Sequence, residues 1–251
     1  GSFFFFSPEY GDDDLFPGDS LTVDTAAFDK GIGFKASADK TVTFADLRWG
    51  GGRLNLGNDR TFTLAGGLDV FDGERVGILI NAAGNRSLTI DSEVSGSGQI
   101  EVKLDDSAGT LKLTNPANSW KGELLLTSGI VDFDYTHNQP QSLLTANGGS
   151  FILDAGTHVF GLGSTLGGNA LAAGTYTASQ LNSLGFGGTS FSGNGSIRIG
   201  TLVPPRLEAF SYSPSDGSAP DSTKGDPAPR YQLVEAEDFT SIERTIRSLS
   251  R

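Results

Sequence analysis

The side chains best suited to chemistry in this chain are carboxylates crowded into one loop. Glu9, Asp12, Asp13, Asp14 and Asp19 fall within a Gly- and Pro-containing stretch near the N-terminus. Hard oxygens on a turn are ligands for Ca²⁺, so Asp12, Asp13, Asp14 and Asp19 are the candidate metal residues and calcium is the one candidate cofactor. The stretch lacks the Asp-x-Asp-x-Asp-Gly loop with a distal Glu, and the Gly-Gly-x-Gly-x-Asp calcium repeat is absent. A solvated loop is therefore the default expectation. The only histidines, His137 and His158, lie 21 residues apart, a spacing that can place them one coil apart. With no cysteine in the chain, a zinc site there needs carboxylate help. Surface or capping histidines are expected instead.

Paired carboxylates are the other chemistry to look for, because acid–base hydrolysis of sugar polymers uses them. Asp69, Asp72, Glu74 and Arg75 form one charged turn, and Asp105 with Asp106 another. No spacing singles out an acid–base pair, so no catalytic residue is assigned. The chain is expected not to be an enzyme, with a polysaccharide lyase or hydrolase as the alternative class. Trp49, Trp120, Tyr135 and Tyr176 are the aromatics that can stack on sugars if exposed. Gly50-Gly51-Gly52 is not a phosphate loop, since no Gly-Lys-Ser/Thr follows.

Short alternating segments must position all of these groups. They include Leu21-Thr22-Val23, Val42-Thr43-Phe44, Thr61-Phe62-Thr63-Leu64, Ser87-Leu88-Thr89-Ile90, Thr110-Leu111-Lys112-Leu113 and Ser196-Ile197-Arg198-Ile199. Period-two alternation reads as strand. Clusters of Gly and Asn between them supply the positive-φ corners. The related segments starting at Thr61, Ser87 and Thr110 recur every 23 to 26 residues. That period predicts an all-β fold, a right-handed parallel β-helix or β-solenoid, with a small C-terminal β-rich module. Gly109 to Val131 is its best single coil: two strands joined by a structural turn at Asn118, Trp120 and Gly122.

This coil resembles the autotransporter-associated β-strand repeat of bacterial passenger-type β-helix proteins. The matching residues are Gly109, Leu111, Leu113, Asn118, Ser119, Trp120, Gly122, Gly129 and Val131. Leu171 to Ala178, followed by Phe191 to Ile197, resembles the C-terminal end block of secreted repeat proteins from Verrucomicrobia and Planctomycetes. The resemblance implies a β-helix exported to the cell surface or the extracellular space. A translocator barrel of amphipathic strands of about ten residues is not seen, so self-transport is not expected of this chain.

Composition bounds the partners. The 251 residues carry 18 basic and 30 acidic side chains, a net charge of −12, which argues against nucleic acid. No apolar run approaches the roughly 20 residues of a transmembrane helix. Met is absent, and Gly1-Ser2 reads as a cloning scar or a processed end. Three regions are expected: 1–20, an aromatic and acidic segment; 21–202, the solenoid; and 203–251, a linker opening on Val203-Pro204-Pro205 and a small module. Phe239, Ile242, Ile246 and Leu249 leave a terminal helix and a docking strand both open. Phe3, Phe4, Phe5 and Phe6 put two rings on each face of a strand and are the candidate self-association residues. Coverage by the chain's own C-terminal module is the alternative. The functional expectation is a secreted structural protein that self-associates into a fibre or surface layer, or acts in adhesion. A carbohydrate-binding or polysaccharide-active domain is the runner-up.

Overall fold

The computed structural model describes residues 3–6, 14–15, 20–24, 31–34, 38–56, 60–71, 76–78, 86–104 and 109–200, and for 3–6, 14–15 and 76–78 the backbone alone. The chain divides into two units, Gly1–Thr201 and Leu202–Arg251. The expected linker and small module lie outside the described residues. So does the terminal segment carrying Phe239 and Ile242.

In chain order the elements are β1 (Phe3–Phe6), β2 (Asp14–Leu15), β3 (Ser20–Val23), β4 (Gly31–Phe34), β5 (Lys40–Trp49), β6 (Gly52–Leu56), β7 (Thr61–Val70) and β8 (Val76–Ile78). Then come β9 (Ser87–Ile90), β10 (Glu93–Gly96), β11 (Ile100–Lys103), β12 (Thr110–Leu113), β13 (Glu123–Ser128), β14 (Ile130–Phe133), β15 (Leu143–Ala146) and β16 (Ser150–Leu153). The last are β17 (Thr157–Phe160), β18 (Thr165–Leu166), β19 (Asn169–Ala170), β20 (Gly174–Thr177), α1 (Ala178–Ser183), β21 (Ser190–Gly193) and β22 (Ser196–Ile199).

Successive strands alternate between two parallel sheets, making a β-solenoid of about five turns. One nine-stranded sheet runs β1-β4-β6-β8-β11-β13-β15-β18-β19, and the other, ten-stranded, runs β2-β5-β7-β9-β12-β14-β16-β21 with β3 paired to β5 and β10 to β7 beside that path. The repeat shortens between β7 and β16. Thr61 pairs with Ser87 and Ser87 with Thr110, but Thr110 pairs with Ile130 and Ile130 with Ser150, 20 residues per coil.

Alternation decides which side chains enter. On one sheet Leu64, Ile90, Leu113, Phe133 and Leu153 form an inward file. On the other, Val102, Leu126, Ala146 and Leu166 do the same. All of them belong to one buried cluster. Each file buries its apolar faces only because the next coil covers it, the condition that makes a solenoid cohere.

Two glycines set the shape of the central coil. Gly129, at φ +92°, turns β13 into β14 in a region that disfavours other residues, and a Cβ there meets Leu104 Cδ1 at 2.2 Å. Gly122 sits against the coil below, where a Cβ falls 2.0 Å from the Gly98 carbonyl oxygen and 2.6 Å from Trp120 Nε1. Gly122→Ala is expected to cost roughly 3 kcal/mol, because backbone, not a flexible side chain, must give way. Urea titration checks this, and a loss below 1 kcal/mol refutes the tight-corner account.

The C-terminal end of the stack is finished differently from its body. β18 is followed by the antiparallel β19, and a third sheet, β17-β22-β20, ends in the antiparallel β20. α1 starts on a capping box between Thr177 and Gln180, and its Leu181 is 2% exposed in the core. Among the described residues no helix is long and apolar enough to cross a membrane.

Candidate functional site

The densest polar chemistry inside the solenoid lies where β14 runs out toward β15. The turn of the preceding coil delivers Asn118 and Trp120, the segment after β14 delivers Tyr135 and His137, and β17 delivers His158. Both histidines are buried, at 1% and 0% exposure, which corrects the expectation of surface positions. They lie on adjacent coils: the His137 backbone N–H donates to His158 Nδ1 at 3.4 Å. Rings enclose them. Phe160 lies 4.6 Å from His137, Phe133 lies 5.1 Å from His158, and Trp120 stands 6.3 Å from His137.

The hydrogen bonds at this corner run in one direction. Asn118 Oδ1 accepts from the Val94 N–H of the coil before at 2.7 Å, and the Asn118 carbonyl accepts from Gln139 Nε2 of the coil after at 3.3 Å. The Tyr135 hydroxyl contacts His137 Nδ1 at 2.9 Å, and His137 Nε2 contacts Ser142 Oγ at 2.8 Å. Ser142 spends its only proton on the Gln139 carbonyl at 2.8 Å. Ser142 must therefore accept from His137 Nε2–H, which leaves Nδ1 to accept from Tyr135. The neutral Nε2–H tautomer satisfies every partner.

Electrostatics agrees with that assignment. Burial, with a smaller contribution from His158, lowers the His137 pKa to about 3. Burial also lowers that of His158, partly offset by its bond to the Asp154 backbone. Tyr135 is pushed up to about 12 by burial. A serine beside a histidine suggests nucleophilic catalysis, but here the serine proton points at a backbone carbonyl rather than at the imidazole. The run starts on the Tyr135 hydroxyl and ends on the Gln139 backbone carbonyl. What it does is pair the buried polar atoms of this coil with one another, while His137 N–H to His158 and Gln139 Nε2 to the Asn118 carbonyl tie the coil to its neighbours.

The turn residues named from sequence share this role. Trp120 is 3% exposed and its Nε1–H donates to the Gly98 carbonyl at 2.8 Å. Trp49 is 2% exposed and donates to the Gly51 carbonyl at 2.9 Å. Tyr135 and Tyr176 are half-buried against the core, and the Tyr176 hydroxyl donates to the Ala172 carbonyl. These four aromatics are engaged with the stack rather than held out as sugar platforms.

A second polar group lies on the outer face of the ten-stranded sheet. Lys112 Nζ stands 2.8 Å from Asp134 Oδ2 and 3.8 Å from Asp132 Oδ2. A hydrogen bond with Lys112, then one with Asp154, lowers the Asp134 pKa. The hydrogen bond to Asp134, then burial, raises that of Asp154 on the neighbouring coil. Asp132 is raised by burial. The signal for this cluster in the sequence is charge recurring 20 residues apart at two positions, Lys112 with Asp132 and Asp134 with Asp154.

The other sequence candidates scatter. Asp12, Asp13, Asp19, Asp72, Glu74, Arg75, Asp105 and Asp106 lie outside the described residues, as does the side chain of Asp14 in β2. Asp69 pairs with Arg48 at 3.3 Å, and that guanidinium lies over Phe71. Phe3–Phe6 pair in parallel with β4, from Phe3 opposite Gly31 to Phe6 opposite Phe34. Their side chains lie outside the described residues. Among the described residues no group of three or more His, Cys, Asp or Glu is placed to hold a metal.

The fold and this corner define a β-solenoid protein whose internal polar groups serve the stack. Compared with known proteins, the chain matches no family model, no curated protein and no solved structure.

Proposed function

We propose that this chain is a structural segment of an exported bacterial surface protein, associating with copies of itself in a fibre, surface layer or adhesive assembly. The observation that carries the reading is the buried run of hydrogen bonds from Tyr135 through His137 and Ser142 to the Gln139 carbonyl, tied to the neighbouring coils by Gln139 to Asn118 and by His137 N–H to His158. It spends the most reactive side chains of the interior on bonds within the scaffold. The resemblance of Gly109 to Val131 to autotransporter-associated repeats supports an exported role. β1 supports self-association, because four phenylalanines stand at the outer position of the nine-stranded sheet, and such an edge favours pairing with another chain.

Deleting residues 3–6 tests it. The full chain is expected to gain mass with concentration in light scattering, and the deletion to hold a constant mass. Identical mass curves overturn association through β1.

A further inference from the structure

The last strand of the ten-stranded sheet is finished by a side chain. In β21, Ser190 N–H bonds back to the Gly149 carbonyl at 3.0 Å, and Phe191 is in register with Phe151. A parallel strand points alternate residues to opposite edges, so the Phe191 N–H and C=O face away from the stack. Asn182 meets both. Phe191 N–H donates to Asn182 Oδ1 at 2.8 Å, and Asn182 Nδ2 donates to the Phe191 carbonyl at 2.8 Å. One amide thus occupies the donor and the acceptor that a further parallel strand would use. α1, which carries Asn182, also closes the core end with Ala178 and Leu181. The other two sheets end in antiparallel strands, β19 and β20.

We propose that Asn182 is a stop for strand addition: its amide holds the outward edge of β21 and keeps a strand from a second copy of this chain from extending the sheet. This rests on the reading of the chain as one that associates with its own copies, and it makes that association one-ended. A copy can join through β1, whereas the β21 end refuses a parallel strand while Asn182 is in place. Edge strands left open are the usual route to uncontrolled pairing, and proteins block them with specific devices. A side-chain amide is suited to the task because it presents one donor and one acceptor in the geometry of a peptide group.

The test uses the full chain and Asn182→Ala, with Thr177→Ala as a control that breaks the helix capping box without touching Phe191. Alanine is the best helix former, so α1 is retained. In amide exchange followed by NMR, Phe191 is expected to exchange about tenfold faster in Asn182→Ala, with Ser190 unchanged. In sedimentation velocity that variant is expected to reach a larger mean mass than the wild type at the same concentration, while Thr177→Ala follows the wild type. Asn182→Ser, too short to reach both atoms, is expected to show a smaller rise and carries the test if the alanine variant loses its cap. A mass for both variants equal to wild type at every concentration overturns the proposal, as does a Phe191 amide that stays protected. Failure of the self-association reading looks different: the wild type itself holds constant mass and the 3–6 deletion changes nothing, whatever Asn182→Ala does.

Discussion

Phe133→Ala is expected to lower the unfolding free energy by about 4 kcal/mol. Phe133 is 1% exposed and sits at the centre of the aromatic corner. Its ring stacks on Phe151 at 6.1 Å and 8° and meets Phe160 edge-on at 6.0 Å. It also covers His158 at 5.1 Å and His137 at 6.0 Å. Truncation removes the transfer free energy of the ring and leaves a cavity. It also forfeits aromatic pair terms of about 1 kcal/mol each. The walls are poorly able to collapse, because the inward file above and below is fixed by strand register to Leu113 and Leu153. Urea unfolding followed by fluorescence of Trp120, which abuts the same corner, measures it. A loss under 1 kcal/mol means the corner relaxes and the stack is not the rigid support described.

That corner marks where sequence reasoning stops. The strands of the central coil are legible because Leu111 and Leu113 alternate with Thr110 and Lys112, and because Asn118, Trp120 and Gly122 punctuate the run between β12 and β13. Alternation of this kind is local, so one segment reveals its own inward face. The burial of His137 is not local. Its support comes from Tyr135, from Ser142 and from His158 and Phe160 on the following coil, and nothing in Tyr135-Thr136-His137-Asn138 alternates. The pairing of Asn182 with Phe191 is hidden for the same reason, since they stand nine positions apart across the helix end and the loop into β21. The shift from a 26-residue to a 20-residue repeat also escapes local reading, because it is set where strands pair.

Acid is expected to weaken this protein from pH 6.5 downward, well above the carboxylate range. His137 titrates near pH 6.5 when unfolded but at about 3 when folded, chiefly because burial disfavours the imidazolium. The folded state then binds fewer protons throughout that window, so stability falls as pH falls. Above pH 6.5 both states are neutral and the contribution is fully present. By pH 3 about 4 kcal/mol of it is lost, and the remainder goes below that pH. His158, also lowered by burial, acts with the same sign. The raised pKa values of Asp132 and Asp154 act with the opposite sign, at carboxylate pH. Protonation of Nδ1 converts the acceptor for Tyr135 into a second donor, so the run from Tyr135 to Gln139 breaks at its middle. The unfolding free energy from urea titrations between pH 7 and pH 4 reads the effect, and His137→Gln isolates it. That variant has its own stability cost, but its pH slope is expected to be shallower by up to about 1.4 kcal/mol per pH unit, the contribution of one proton. An unchanged slope in His137→Gln, or an imidazole that titrates near pH 6 in the folded protein, removes the buried neutral His137 from the account.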